Sequence, residues 1–275
     1  MNKVMKTIMI ITFVLLLIAA FTALGFLLVH QHQEDTVEDH VSSLVNDTVP
    51  EPSGDPTVEP NLDEKPEHAE PKEPVMLEKY VSLYEENPDV IGWLKIEDSE
   101  IDYAVMQTPD EPDKYLHLDF YGQESERGTL YLDAKCNVTE SDNLIIYGHN
   151  MKNGSMFGSL MDYSDKSFWH DHKYLAFDTL YEERTYEVVA AFYARIMYQN
   201  EEGFRYYQFI DSDEHGFDEL QTFLDENQCY DTGLDVEYGD KLITLSTCAY
   251  HVENGRFAVI AKLVEPASLS DAEAS

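Results

Sequence analysis

Three side chains stand where strand ends could hand them to a cleft, and together their types suit chemistry by a thiol nucleophile. Cys248 ends an apolar run, Lys-Leu-Ile-Thr-Leu-Ser-Thr-Cys, just before Ala249 and Tyr250. A thiol at such a place reads in two ways, as a nucleophile offered to a cleft or as a small buried hydrophobe. His149 closes Asn-Leu-Ile-Ile-Tyr-Gly-His, where Gly148 allows an unusual turn and close approach immediately before the imidazole. Arg256 follows Cys248 by eight residues, behind an Asn254-Gly255 turn signal and ahead of an apolar run at residues 257–263. A hairpin of that kind carries the thiol on one arm and the guanidinium at the start of the other. The alternative is an ordinary surface arginine, in a chain that is poor in bases.

The other thiols and imidazoles offer less. Cys136 in Ala-Lys-Cys-Asn and Cys229 in Asn-Gln-Cys-Tyr have polar, loop-like neighbours. Outside a reducing compartment they could pair, which the sequence leaves open. His170-x-His172 would place two imidazoles on one face of a strand, a metal pattern with no third ligand nearby, against the alternative of a solvated loop pair. His30, His32, His40 and His68 lie outside the segments with folded character.

Holding three such groups requires strands with turns at their ends. β-Branched, aromatic or alternating runs place strands at residues 93–96, 101–105, 129–132, 144–147, 185–194, 241–247 and 257–263. Helical patterns cover 77–86, 155–163 and 214–226. The last has Ser212 or Asp213 as N-cap, with Phe217, Leu220 and Leu224 at helical spacing. Many short strands with a few inserted helices predict a mainly β barrel or sandwich, not alternating βαβ units.

Residues 7–29 of the 275 hold no charged side chain. At ~1.5 Å per residue they reach roughly 34 Å, enough for a bilayer core of about 30 Å. The run exceeds the about 7–15 residues of a signal peptide, and Ala20, Ala23 and Gly25 lie inside it. An uncleaved transmembrane anchor is therefore predicted. Lys3 and Lys6 before it, against Glu34, Asp35, Glu38 and Asp39 after it, put residues 1–6 in the cytoplasm and the rest outside. Residues 30–77 hold seven of the 11 prolines and thirteen acidic residues, with only Lys65 and Lys72 as bases. That composition predicts a solvated, self-repelling extracellular tether. Residues 78–275 are left as the folded domain, with 41 acidic and 14 basic side chains, expected to be monomeric. A whole-chain net charge of −36 excludes a nucleic-acid binder working through phosphate neutralisation. The 43% hydrophobic and 12% aromatic content excludes a wholly disordered acidic protein.

With these residues in place, the sequence resembles the class B sortases. The resemblance rests on Tyr-Gly-His-Asn-Met-Lys-Asn-Gly-Ser-Met-Phe from Tyr147, on Thr-Leu-Ser-Thr-Cys ending at Cys248, and on Gly255-Arg256 before an apolar strand. Gly92-Trp-Leu-Lys-Ile, Ile101-Asp-Tyr-Ala-Val-Met-Gln, Asp113-Lys-Tyr-Leu and Asp119-Phe-Tyr-Gly extend it over about residues 78–264. It implies a closed eight-stranded β-barrel with N-terminal helices and a long helix before the Cys-bearing strand. The activity implied is that of a membrane-anchored cysteine transpeptidase, with Cys248 as nucleophile, His149 as general acid/base and Arg256 as oxyanion stabiliser. It further implies that Ser246 and Leu116 line a groove for a sorting peptide and that the backbone near Ala249 helps at the oxyanion. No metal or cofactor is implied. The implied partners are surface proteins bearing a sorting motif, an amine of peptidoglycan or its lipid-linked precursor, and the cytoplasmic membrane.

Three other functions compete. A pilin-polymerising sortase would use the same chemistry on another acceptor. A hydrolytic cysteine protease would release the thioester to water, but papain-like and caspase signatures are absent around Cys248. A non-enzymatic acidic cell-surface binding domain leaves the joint placement of His149, Cys248 and Arg256 unexplained.

Overall fold

The alternation that marks the strands sorts their side chains onto the two faces of a closed sheet. In a computed structural model, which describes residues 3–46 and 74–264, eight strands form the sheet. They are β1 (Val90–Lys95), β2 (Asp102–Met106), β3 (Leu130–Leu132), β4 (Asn143–Tyr147), β5 (Tyr174–Thr179), β6 (Thr185–Arg195), β7 (Leu242–Cys248) and β8 (Gly255–Leu263). Their order is β1-β2-β3-β4-β7-β8-β6-β5, and β5 pairs back onto β1 to close the barrel. Closure leaves no open sheet edge. Ile243 and Leu245 of β7 and Phe257, Val259 and Ala261 of β8 enter the main core with Leu144 and Ile146 of β4. The alternate residues, Leu242, Ala258 and Ile260, join a second apolar layer outside.

That outer layer is covered by the helix α4 (Glu214–Asn227). Asp213 caps it, its carboxylate accepting from Gly216 N at 3.1 Å, and buried Phe217, Leu220 and Leu224 face the sheet. Helix α2 (Glu78–Glu86) precedes β1, and a short α3 (Lys166–Asp171) precedes β5.

Several expectations change. The strand β5 has no counterpart in the sequence reading, because Ala176 and Asp178 weaken its β character. Pairing with β1 on one side and β6 on the other supplies what propensity does not. The helix expected over 155–163 begins only at Ser159, as a 3₁₀ turn Ser159–Ser164. Gly154 and Met156 ahead of it have positive φ, which no right-handed helix accommodates. His170 lies in α3 and His172 is its C-cap, so the pair does not share a strand.

The N-terminal helix α1 runs Lys3–Asn46, past the anchor boundary expected at residue 29. Residues 31–46 are thus helical where an irregular tether was expected. The reason lies in the prolines, all of which begin at Pro50, so nothing halts propagation of a helix already nucleated in the apolar run. The rest of the expected tether, residues 47–73, lies outside the described residues. The chain divides into two units after His40, and α1 is long and apolar enough to cross a membrane.

Candidate active site

Topology explains how two residues a hundred apart reach one place. β4 and β7 are parallel neighbours, with Tyr147 opposite Ser246, so their C-terminal ends lie at the same mouth of the barrel. The ladder continues one step further, Gly148 N donating to Ser246 O and Thr247 Oγ1 to Gly148 O at 2.7 Å. His149 therefore emerges beside Cys248, and Asn150 ties the two chains by donating from Nδ2 to Cys248 O at 2.8 Å. β8 is antiparallel to β7 and starts at this mouth. Cys248 and Arg256 are direct cross-strand partners, so their side chains leave the sheet on one face, with Cβ atoms about 5 Å apart. All three side chains are half-buried.

Two glycines permit this convergence. Gly148 lacks the positive φ that an unusual turn would need; what it supplies is room. A Cβ there would lie 2.4 Å from Leu130 Cδ2 and 2.8 Å from the Phe157 ring. A Cβ on Gly255 would lie 2.2 Å from Ala249 O, so any other residue would pry open the hairpin that sets Arg256 against Cys248.

The imidazole of His149 is held by Nε2, 2.8 Å from the main-chain oxygen of Leu116. A carbonyl only accepts, so Nε2 carries the hydrogen and Nδ1 is the atom left to exchange a proton. Leu116 ends a 3₁₀ turn, Lys114–Leu116, whose Tyr115 is buried. The Arg256 guanidinium donates to Gly255 O at 3.0 Å and, among the described residues, meets no carboxylate. In a chain with so many acids, an unneutralised arginine beside a thiol is a resource for stabilising negative charge.

Ser246 and Ala249 are placed differently from the expectation. Ser246 is 1% exposed and lies beneath Tyr206, whose hydroxyl is 2.9 Å from its Oγ. The Ala249 N–H is spent on Gly255 O at 3.0 Å, closing the hairpin, so in this arrangement it does not face an oxyanion. Burial pushes the hydroxyls of Tyr131 and Tyr206 up to about 12, and both respond to Cys248 and Arg256. They are neutral at physiological pH.

The sortase domain family matches residues 94–264, which include all three side chains. Sortase B of Listeria monocytogenes is 34% identical over 182 residues, covering 65% of this chain and 71% of that protein. Sortase B of Staphylococcus aureus is 31% identical over 193 residues, covering 68% and 75%. This chain belongs to the class B sortases. The fold agrees: a crystal structure of sortase B from Bacillus anthracis superposes with a TM-score of 0.66 at 27% identity, covering 86% of this chain and 99% of that one. A Staphylococcus aureus sortase B–substrate complex gives 0.61 at 26% identity, covering 70% and 87%. The protein is accordingly a cysteine transpeptidase.

Sequence reasoning about this sortase did not find the contacts that hold its histidine. The Leu116 carbonyl, the Asn150 amide and the ring of His117, stacked on His149 with centroids 5.6 Å apart, were not expected. Asn150 sits within the Gly-His-Asn motif and could have been flagged there; nothing in the Tyr-Leu-His-Leu stretch marks His117. The remaining thiols are free. Cys136 lies in a loop but is buried, and burial pushes its thiol up to about 12; exposed Cys229 is not its partner. Among the described residues no cluster of three His, Cys, Asp or Glu side chains is placed to hold a metal ion.

Proposed function

We propose that this sortase cleaves a sorting peptide through Cys248, using His149 for proton transfer and Arg256 for the oxyanion. The observation that carries this reading is the register pairing of Cys248 with Arg256, with His149 delivered to the same mouth by the parallel neighbour strand. The Cys248 thiolate, its proton held on Nδ1 of His149, attacks the scissile carbonyl, forming a C–S bond and placing the carbonyl electron pair on oxygen. Arg256 meets that oxyanion with the N–H groups Gly255 O leaves unused. Collapse breaks the C–N bond, and His149 gives its proton from Nδ1 to the leaving amine, leaving a thioacyl-enzyme. An incoming amine then attacks the thioester, His149 takes its proton, and the thiolate departs as a new amide forms.

Leu116 borders this mouth and is read as part of the wall against which the peptide lies, with buried Ser246 and Ala249 supporting that wall from beneath. The substrate class is a secreted protein carrying a sorting motif, and the acceptor an amine of peptidoglycan or its lipid-linked precursor. A substrate-bound Staphylococcus aureus sortase B, and a sortase B complexed with triglycine, support a peptide groove with an amine-bearing acceptor. Helix α1 serves as the membrane anchor, with residues 1–6 cytoplasmic and the catalytic domain outside.

The test is turnover of a panel of Thr-containing sorting peptides with and without an amine acceptor. Cys248→Ala should abolish cleavage, while Cys136→Ala and Cys229→Ala keep most of it. With the amine present the product should be the ligated amide; acid alone at every amine concentration would indicate a hydrolase. Full turnover by Cys248→Ala would remove the basis for the assignment.

A further inference from the structure

One short stretch of chain meets the His149 ring on two sides. The Leu116 carbonyl holds its edge at Nε2, and the ring of the next residue, His117, lies over its face with 29° between the planes. A single hydrogen bond fixes where Nε2 sits but leaves the ring free to rock about the N–H···O line. Rocking swings Nδ1, on the far side of the ring, toward and away from the reacting atoms. A face contact removes that freedom. We infer that His117 is a positioning residue, which sets the plane of the His149 imidazole and hence the direction of its proton transfer.

Two features favour this over incidental contact. First, the residue is exposed, so its ring does not serve the barrel core. Second, its backbone is anchored from both sides. His117 O accepts from Ser125 N at 3.0 Å, and Tyr115 O accepts from Thr129 N at 2.9 Å. Tyr115 Oη donates to Asp89 Oδ2 at 2.8 Å and accepts from Asn87 Nδ2 at 2.8 Å, while Lys114 Nζ reaches Asp89 at 2.6 Å. The stretch is thus a rigid platform that presents a carbonyl and a ring to the histidine, where many cysteine and serine hydrolases use a carboxylate or an amide. Offset-stacked rings attract beyond their buried area, and small displacements at a reacting centre carry large rate penalties.

The inference rests on the reading of His149 as the proton-transfer group, and the experiment separates the two. Full-length protein in detergent is assayed on a Thr-containing peptide that the parent cleaves, with kcat and KM measured for His117→Ala, His117→Leu, His117→Phe and His149→Ala. We expect His117→Ala and His117→Leu to lower kcat about tenfold with KM within about twofold, and His117→Phe, which keeps a ring for stacking, to recover most of the loss. Thermal melts should be unchanged, as the side chain is exposed. Parental kcat in His117→Ala or His117→Leu overturns the inference, as does a His117→Phe as slow as His117→Ala. A fully active His149→Ala would instead overturn the reading beneath it.

Discussion

At the scale of single residues, the site depends on one cation whose shape matters as much as its charge. Arg256 gives up one N–H to Gly255 O and keeps the rest of a planar fork for the cleft. Lysine at this position retains the charge but replaces the fork with a mobile point charge on a different stem. Arg256→Lys should therefore lower transpeptidation by ~10²–10³ in kcat, the usual cost of losing an oxyanion donor. The fold should be untouched, since Arg256 carries no ion pair among the described residues. Peptide turnover beside thermal melts of each variant measures both; a variant that melts and turns over like the parent would make Arg256 structural.

At the scale of elements, the turn that carries Leu116 and His117 is fastened by one carboxylate. Burial alone would raise the Asp89 carboxyl, but hydrogen bonds from Lys114 and Tyr115, with the Lys114 charge, outweigh it and hold the group below the usual range. A carboxyl depressed in the folded state stabilises the fold fully above its unfolded value, about 3.9, and loses that contribution as pH falls through the folded value. The window is therefore below about pH 4. Melting temperatures followed from pH 5 downward should fall more steeply for the parent than for Asp89→Asn, which has no such proton to take up. Parallel curves would mean that Asp89 does not fasten the turn. The same carboxylate loss should slow turnover, because the histidine's platform hangs on it.

At the scale of the molecule, the barrel is complete without the helix that precedes it. Among the described residues every strand and every pairing lies between Val90 and Leu263, and the segment before α2 is tied by Leu77 N to Leu180 O at 2.8 Å. A chain beginning at Val75 should fold cooperatively, keep its activity and remain in the supernatant on centrifugation with vesicles. The full-length protein should sediment with membranes. Circular dichroism and a fractionation assay read the two outcomes; an unfolded shorter chain would show that α1 contributes to the fold itself.

The seven strands found in the sequence, the α4 helix with its aspartate cap and the hairpin behind Cys248 were all legible locally. Each rests on side-chain periodicity or turn chemistry within about ten residues. The three reactive side chains could be picked out for the same reason, since each stands at the end of such a run. β5 escaped because its partners, not its own residues, make it a strand. The helical stretch at 31–46 is not legible locally because its acidic composition matches that of the proline-rich segment beyond it. What the residues could not state is which strand ends meet. Placing β4 parallel to β7 brings His149 to Cys248 across almost a hundred residues, and only closure of the barrel decides it. The burial of Ser246 under Tyr206, the use of the Ala249 N–H in the hairpin and the hold of Leu116 and His117 on His149 follow from that closure. Residue types and local periodicity thus determined which groups this protein could use. Their mutual distances came from long-range pairing, where backbone hydrogen bonds and core packing act together and no short stretch of sequence carries the information.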